Sequence, residues 1–173
     1  QSFSAGMDNF LYPEIIEREQ VTVSNTAGLF APQGGEHAWA LLLALTRGIR
    51  LAVQNMGERA WAGGQVIELT GMTLGLIGLG GFGQETAKRA RGYDMRVLGL
   101  DPVREAPMDD IDEIRTPHPD SLQWMLSSSD AVVVGCPRTP QTYHLLGADQ
   151  LAQMKPTAYL VNTARGGIVK KKA

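Results

Sequence analysis

Residues 73–83 read TLGLIGLGGFG, and this stretch decides the fold of the chain. An apolar run ends in a turn whose glycines, Gly78, Gly80 and Gly83, follow the spacing G-x-G-x-x-G. The next residues, QETAKRARGY, have the composition of a helix, and a second apolar run ends in Asp101. A strand, a glycine turn, a helix and an acidic residue about 20 positions further on together form a dinucleotide-binding fingerprint.

Each residue of the turn has its own predicted role. Gly78 permits the tight turn after the strand, Gly80 lets the backbone approach a pyrophosphate, and Gly83 lets the helix pack closely on the strand. The N–H groups at Gly81 and Phe82 face the phosphates, where the helix dipole favours negative charge. The turn is therefore predicted to bind NAD, and the alternative is a glycine-rich turn without a ligand.

Asp101 closes the second strand and is predicted to bind the ribose of the adenosine half. A carboxylate at this position accepts hydrogen bonds from both ribose hydroxyls and repels a 2′-phosphate, which favours NAD over NADP. Arg104 follows closely and could accommodate that phosphate. Asp101-Pro102 could alternatively begin a plain turn; we include both residues in the predicted cofactor site.

The composition is that of an ordinary globular domain. The chain has 173 residues, 43% hydrophobic and 20% charged, which is enough for one domain with a sizeable core. Its formal net charge of −2 provides no global basic field, so we expect neither nucleic acid nor a membrane as partner. The one cysteine, Cys136, excludes an internal disulfide and is compatible with a reducing cytoplasm. We predict no metal site.

The two ends of the sequence look like those of a fragment. The chain begins QSFSAG without an initiator Met and ends in KKKA. We expect no signal peptide, and the longest apolar stretch of the chain, 38–45, is too short to cross a bilayer. We therefore expect a piece of a longer, cytoplasmic protein.

Apolar runs alternate with helical segments along the chain. Helix 36–47, EHAWALLLALTR, is apolar on nearly every side and is predicted to lie in the core or in a subunit interface. Within 56–71, Trp61 is expected to act as an anchor. Strands alternating with helices predict an α/β fold with a doubly wound parallel sheet. The predicted strands are 21–23, 73–77, 96–100, a short one near Ile114, 131–135 and 158–161; the other predicted helices are 12–19, 83–91, one capped by Asp120 or Ser121 that runs to 126, and 148–154.

Two further strand ends are predicted to border the cofactor, because ligands of open parallel sheets lie at the carboxyl ends of the strands. We expect Cys136 to contribute its backbone, since the sequence shows no base that would make its thiol a nucleophile. For Thr139 and Thr142 two roles stay open, bonding a phosphate or stabilising the loop. The predicted contacts in these loops are Cys136, Pro137, Thr142, Thr163 and Ala164.

Arg165, beside two glycines after the last predicted strand, is the candidate catalytic residue. Its guanidinium stays charged and can bind a carboxylate through two N–H groups. The alternative is an ion pair that holds the loop. The three histidines are assigned other roles, because none has the carboxylate spacing of a general acid: His37 is expected to be packed or capping, His118 solvated and His144 structural.

These stretches together resemble the D-isomer-specific 2-hydroxyacid dehydrogenase family, from Ala5 to about Val169. The resemblance implies a Rossmann NAD-binding domain beside the remnant of a flavodoxin-like substrate domain. Residues 1–24 would end the first substrate-domain segment, 25–169 would form the NAD-binding domain, and 170–173 would be an atypical tail. The matching stretches are AGMDN (5–9), VTVSNTAG (21–28), GEHAWALLLALTR (35–47), LTGMTLGLIGLGGFG (69–83), LGLDP (98–102), CPRTPQTYHLL (136–146) and MKPTAYLVNTARGGIV (154–169).

The resemblance also implies a function, which is hydride transfer between NAD(H) and a small 2-hydroxy or 2-oxo acid. Backbone N–H groups around Ala5 and Gly6 would hold the substrate carboxylate, Arg165 would bind and polarise the 2-oxo acid, and a downstream Glu–His pair would move the proton. The helix after Gly35 would form a homodimer interface. Two alternatives stay open: a corepressor-like NAD-binding module that binds partner proteins, and a formate or phosphite dehydrogenase of the same fold.

Three features depart from the family's usual pattern. Gly81 stands where an Arg is common, and Gly35 stands where an Ala is common. Three lysines, 170–172, follow Val169, where the family usually continues with acidic residues. Losing the Arg removes one possible phosphate contact, but neither glycine is expected to prevent cofactor binding.

Overall fold

One parallel sheet forms the centre of this computed structural model, which describes residues 1–8, 10, 12–105 and 108–171. Its strands are β1 (Thr73–Ile77), β2 (Arg96–Leu100), β3 (Glu113–Arg115), β4 (Ala131–Val134) and β5 (Tyr159–Asn162). Their order across the sheet is β3-β2-β1-β4-β5, and all four pairings are parallel. The chain winds outward from β1 to β3 and then crosses to the other side of β1, which confirms the predicted doubly wound α/β sheet.

Helices cover both faces of the sheet. They are α1 (Pro13–Ile16), α2 (Ala31–Thr46), α3 (Ile49–Gly57), α4 (Gly81–Ala90), α5 (Pro119–Ser128) and α6 (Ala148–Leu151). In the part of the chain that the structure describes, none of them combines the length and apolar character needed to cross a bilayer.

The core lies on the two sides of the central strands. On one face Leu42 of α2 packs in a cluster with Leu74 and Leu76 of β1. On the other face Met125 of α5 packs with Leu98 of β2. Because both faces are covered, the central strands are continuous apolar runs rather than alternating ones, and this made them readable from the sequence.

Close packing of α2 against α4 depends on two glycines. A Cβ on Gly34 would lie 2.5 Å from the Phe82 ring, and a Cβ on Gly35 would lie 2.8 Å from the Glu85 Cβ. The helix begins at Ala31, with a proline in its first turn, and therefore starts five residues before the predicted bound. This early start brings the amino end of α2 to the turn after β1.

The predicted strands are largely confirmed. The bounds of β1 and β2 agree with the prediction, β3 includes Ile114, and β4 and β5 differ from the predicted bounds by one residue at their ends. The predicted strand 21–23 is wrong, because Val21 and Val23 are exposed and join no sheet in the described structure. The neighbouring residues instead tie the amino-terminal segment down, through Ser2 N–H to the Ser24 carbonyl oxygen at 2.8 Å.

The segment after α2 differs most from the prediction. α3 was not predicted, and Trp61 is fully exposed, so its assignment as an anchor is wrong. Asn55 does the anchoring instead, because its Nδ2 donates to the Ala62 carbonyl oxygen at 2.8 Å. A buried side-chain amide thus holds a loop whose tryptophan faces solvent.

Two histidine environments also differ from the prediction. His37 is exposed and makes no capping hydrogen bond in the described structure, so its assignment as packed or capping is wrong. The predicted cap of α5, Asp120 or Ser121, is wrong as well. His118 caps that helix, since its Nδ1 accepts the Asp120 N–H at 3.3 Å while the ring remains solvated as predicted.

Candidate functional site

An open cleft of about 690 Å³ lies at the carboxyl ends of β1, β4 and β5. β1 and β4 are neighbours in the sheet, but the chain leaves them toward opposite sides. Such a switch point is where open α/β sheets bind ligands. Residues 5–8 and the amino end of α2 complete the wall of the cleft.

Gly78 and Gly83 shape the turn at the end of β1. Gly78 has φ +96°, and a Cβ there would lie 2.7 Å from the Cys136 backbone nitrogen. A Cβ on Gly83 would overlap the Gly78 carbonyl oxygen. The first glycine therefore allows the turn to fit against the loop after β4, and the second lets α4 pack on the turn. Neither lines the cleft.

The amino end of α4 faces the cleft and leaves room for a ligand. A Cβ built on Gly80 would meet no described atom within 4 Å, and the N–H groups of Gly81 and Phe82 lie in the first turn, where a helix supplies no acceptor. Free N–H donors beside open space fit a pyrophosphate. Gly81 has less freedom, because a Cβ there would lie 2.7 Å from the Ala31 Cβ, so α2 occupies the space next to it.

Asp101 fixes the glycine turn to the end of β2. Its Oδ2 accepts the Leu79 N–H at 2.7 Å, and its Oδ1 accepts the N–H groups of Val103 and Arg104 at 2.9 Å each. Partial burial alone would raise the pKa of this carboxyl, but the three backbone donors and the Arg104 charge outweigh it and hold the pKa below its usual value. Three of about four acceptor positions are used, so one is left for a ribose hydroxyl.

Thr142 stabilises the loop after β4 from outside the cleft. Its Oγ1 donates to the Pro137 carbonyl oxygen at 2.7 Å and accepts the Thr139 N–H at the same distance. Thr139 itself lines the cleft. Of the two roles left open for Thr142, loop stabilisation is the one with observed bonds, and a phosphate contact stays a prediction.

Cys136 lies at the base of the cleft with its side chain largely buried. Burial raises the pKa of its thiol to about 11, and the nearby Asp101 charge acts in the same direction. The thiol is therefore protonated at neutral pH, and a protonated thiol is a poor nucleophile. The side chain that follows β5 is also engaged within the protein, since the Thr163 hydroxyl donates to the Val134 carbonyl oxygen at 3.2 Å.

Arg165 meets the amino-terminal segment across the cleft. Its Nε donates to Asp8 Oδ2 at 2.8 Å, and its Nη1 donates to the Ala164 carbonyl oxygen at 2.9 Å. Asn162 supports the loop by donating from Nδ2 to the Arg165 carbonyl oxygen at 2.9 Å. A Cβ on Gly6 would overlap Arg165 Nη2, so only glycine leaves space for the guanidinium there.

The cleft brings together most, but not all, of the predicted site residues. Gly78, Gly83, Asp101, Pro102 and Thr142 lie outside its lining, and of these Asp101 reaches the turn beside the cleft by accepting the Leu79 N–H. His144 also lies outside it, stacked on Tyr143 with φ +55°. The predicted residues that line the cleft are Ala5, Gly6, Gly80, Gly81, Phe82, Cys136, Pro137, Thr163, Ala164 and Arg165.

Several lining residues were missed by sequence reasoning. Gly135 and Arg138 lie in the loop after β4, and their position at a strand end was a usable signal. Ala27 and Gly28 line the cleft because α2 starts early, which the pattern of apolar residues did not indicate. Asp8 had no local signal, because its partner Arg165 is distant in sequence.

Comparison with known proteins identifies the class of domain. Residues 39–173 match the family described as D-isomer specific 2-hydroxyacid dehydrogenase, NAD binding domain. The chain is 34% identical to a glyoxylate reductase of Korarchaeum cryptofilum, over 99% of this chain and 52% of that protein. It is 35% identical to a hydroxypyruvate reductase of Thermotoga maritima, over 97% of this chain and 53% of that protein.

A solved structure of a protein bound to NAD has the same fold. The NAD-dependent formate dehydrogenase of Staphylococcus aureus, solved in complex with NAD, superimposes with a TM-score of 0.74. The two chains are 31% identical, and the match covers 84% of this chain and 44% of that one. This chain spans about half the length of the curated relatives it matches.

Proposed function

The chain belongs to the D-isomer specific 2-hydroxyacid dehydrogenase family through its NAD-binding domain, and we propose on that premise that the whole protein transfers a hydride between NAD(H) and a small 2-hydroxy or 2-oxo acid. One observation carries the proposal: Arg165 lies in the same cleft as the open amino end of α4. A dinucleotide cradle and a cation suited to a carboxylate thus share one space.

The cofactor residues act by holding a diphosphate and a ribose. The N–H groups of Gly81 and Phe82 bind the diphosphate, and the space beside Gly80 admits it. Asp101 accepts a hydrogen bond from the adenosine ribose with its remaining acceptor position. Bound NAD(H) supplies or accepts the hydride, and the chain supplies orientation and charge around it.

The substrate residues act on the acid and on its oxo group. Backbone N–H groups near Ala5 and Gly6 bind the substrate carboxylate together with Arg165. The positive charge of Arg165 also stabilises the negative charge that develops on the oxo oxygen during hydride transfer. We propose that the proton comes from the downstream Glu–His pair that the family resemblance implies, since Cys136 keeps its proton at neutral pH and Asp8 is ionised.

The test is a rate measurement on the natural full-length protein. We expect NADH oxidation with a panel of 2-oxo acids that includes glyoxylate, hydroxypyruvate and pyruvate. In Arg165→Lys the paired N–H contact is lost, so kcat/KM falls roughly 100-fold while the Kd for NADH is unchanged. Arg91→Lys is the matched control, because Arg91 pairs with Asp112 outside the cleft. Wild-type kinetics in Arg165→Lys would remove Arg165 from the mechanism.

A second candidate, oxidation of formate with NAD, draws on the likeness to the formate dehydrogenase. Formate carries a carboxylate for Arg165 but has no second carbon, so it cannot use a site built for a 2-oxo group. Including formate with NAD in the panel separates the two candidates. Turnover of formate alone would replace the 2-hydroxyacid assignment, whereas turnover of neither, together with NAD-dependent binding of a partner protein, would favour the corepressor-like module.

We also propose that the protein is a cytoplasmic homodimer joined through α2 and α3. Leu45 of α2 is 50% exposed and Val53 of α3 is 64% exposed, and the two helices follow each other and are in contact. Exposed apolar surface of this kind favours burial against a second copy. Analytical ultracentrifugation should give twice the chain mass. Leu45→Glu with Val53→Glu should give monomers, and Val103→Glu, at an exposed position in the loop after β2, should not.

A further inference from the structure

The Arg165 guanidinium is held at one edge by a carboxylate from the amino-terminal segment. Arg165 Nε donates to Asp8 Oδ2 at 2.8 Å, although the two residues are 157 positions apart. This hydrogen bond and the Arg165 charge lower the pKa of Asp8, so its carboxylate is ionised at neutral pH. The two side chains form a charged pair on the wall of the cleft.

The pair uses only part of the donor set of Arg165. A guanidinium has five N–H donors. Nε–H bonds Asp8, and one Nη1–H bonds the Ala164 carbonyl oxygen. Within the described residues no acceptor is bonded to Nη2. The Nη1–Nη2 end, which can bind a carboxylate through two parallel bonds, therefore keeps donors available.

Gly6 brings this end of the guanidinium next to the backbone. A Cβ on Gly6 would overlap Arg165 Nη2 and would lie 3.3 Å from Asp8 Oδ2. Nη2 thus occupies the space that a side chain at position 6 would fill. The same stretch of backbone is where we propose that the substrate carboxylate binds, so donors from Gly6 and Arg165 converge there.

Asp8 has two opposite effects on an anionic substrate. Its charge repels the substrate, but between partly exposed groups this repulsion is screened, and the Arg138 charge near Asp8 offsets it. Asp8 also orders the Arg165 side chain, which is 43% exposed. Ordering a free arginine costs roughly 10-fold in binding, and because the repulsion is screened and offset we expect the ordering effect to dominate.

We propose that Asp8 is a positioning residue, which holds Arg165 by its Nε edge so that Nη1 and Nη2 meet the substrate carboxylate. This inference rests on the proposed function, in which Arg165 binds the substrate. In this role Asp8 acts on the substrate through Arg165 and not by direct contact. Its role is to keep one rotamer of Arg165 populated before the substrate arrives.

The test compares wild type, Asp8→Ala and Asp8→Asn in the natural full-length protein. Kinetics are measured with the 2-oxo acid that gives the highest rate in the panel, and calorimetry measures NADH binding and oxamate binding to the NADH complex. In Asp8→Ala we expect KM to rise and oxamate affinity to fall, each roughly 10-fold to 100-fold, with unchanged Kd for NADH. Asp8→Asn should be intermediate, since its amide oxygen still accepts from Nε but carries no charge.

The controls separate positioning from a general loss of structure. Asp149→Asn makes the same charge change on α6, away from the cleft, and should leave all values unchanged. A merely structural role for Asp8 would lower Tm and weaken NADH binding as well, and that result overturns the proposal. Wild-type or lower KM in both Asp8 variants overturns it too. A wild type that reduces no 2-oxo acid overturns the proposed function and this inference with it.

Discussion

Two aspartates close the two ends of β1, and they differ in what they bond to. At the amino end, Asp130 accepts the Thr73 N–H at 2.9 Å and binds Lys155 Nζ at 2.7 Å. At the carboxyl end, Asp101 accepts the Leu79 N–H and two more backbone N–H groups from its own turn. The first carboxylate is neutralised by a side chain of the same protein, whereas the second is compensated mainly by backbone dipoles.

The amino edge of the sheet is closed, in the sense that its aspartate bonds only within the fold, whereas the carboxyl edge is open to the cleft. At the amino edge both observed bonds of the carboxylate serve the fold: the Thr73 N–H ties β1 to the residue before β4, and Lys155, from the segment before β5, supplies the ion pair. At the carboxyl edge Asp101 shapes a turn that ends in open space beside Gly80. The same residue type thus performs a structural task at one end, and at the other it organises a turn that we propose binds the cofactor.

Gly78→Ala should give the largest effect, because position 78 has no space for a side chain. The substitution combines a positive φ with overlap against the Cys136 backbone, and together these cost about 3 kcal/mol of unfolding free energy. Urea unfolding measures the loss. Gly71→Ala is the matched control, since Gly71 has φ +73° but open space around it, and it should lose only about 1 kcal/mol. Equal losses would show that strain alone matters.

Gly80→Ala should affect binding without affecting the fold. Gly80 has an extended backbone that alanine adopts, and a Cβ there meets no described protein atom, so stability is retained. The methyl group fills the space proposed for the pyrophosphate, so the Kd for NADH should rise roughly 10-fold or more by calorimetry. Gly92→Ala, also in open space but away from the cleft, should bind normally. Unchanged NADH affinity in Gly80→Ala would contradict the assigned cradle.

The sequence predicted the sheet well because its signals are local. The apolar runs of β1 and β2 are bounded by glycine, charge and proline, so their ends could be read directly. The start of α2 could not, because Gly34 and Gly35 lower helix propensity and are present for contact with α4. A tertiary contact here overrides the local preference, and the local pattern therefore placed the helix start too late.

Only part of the candidate site could be predicted from the sequence, because some of its contacts join residues that are distant in the chain. The glycine turn and its aspartate follow one another closely, so their spacing indicates a dinucleotide cradle. The partner of Arg165 could not be found by spacing, because Asp8 reaches it only through the fold. The exposure of Trp61 was equally hidden, since a tryptophan in an apolar context usually packs and here Asn55 holds the loop.

Asp101→Ser tests the carboxyl edge of the sheet, where we propose that the cofactor binds. Losing the carboxylate removes both the proposed ribose acceptor and the repulsion of a 2′-phosphate, so the ratio of NAD to NADP affinity should fall roughly 10-fold in titrations. Asp112→Ser is the control, because the Asp112 carboxylate also accepts a backbone N–H, from Val97 at 2.7 Å, but at the opposite edge of the sheet. An unchanged ratio in Asp101→Ser would leave Asp101 with its turn-forming role alone.

Asp130→Asn tests the closed edge and should give the smallest effect. Burial alone would raise the pKa of Asp130, but the Lys155 and Thr73 hydrogen bonds outweigh it, so the folded pKa lies below the unfolded value of about 3.9. The carboxylate's contribution is therefore complete above the unfolded pKa and is lost as the pH falls through the folded pKa. Since Asp130 and Lys155 are both partly exposed, we expect Asp130→Asn to lower the unfolding free energy by about 1 kcal/mol at pH 7.

The difference in unfolding free energy between wild type and Asp130→Asn should narrow as the pH falls below about 4, because the wild-type carboxylate then also becomes neutral. Urea unfolding at neutral and acidic pH measures it, and Asp149→Asn, which removes an exposed carboxylate, should show no such gap. NADH affinity should stay at the wild-type value, because the ion pair lies at the opposite edge from the cleft. A gap that is constant with pH would mean that the amide disturbs packing, and that the charge of Asp130 contributes nothing to closing this edge.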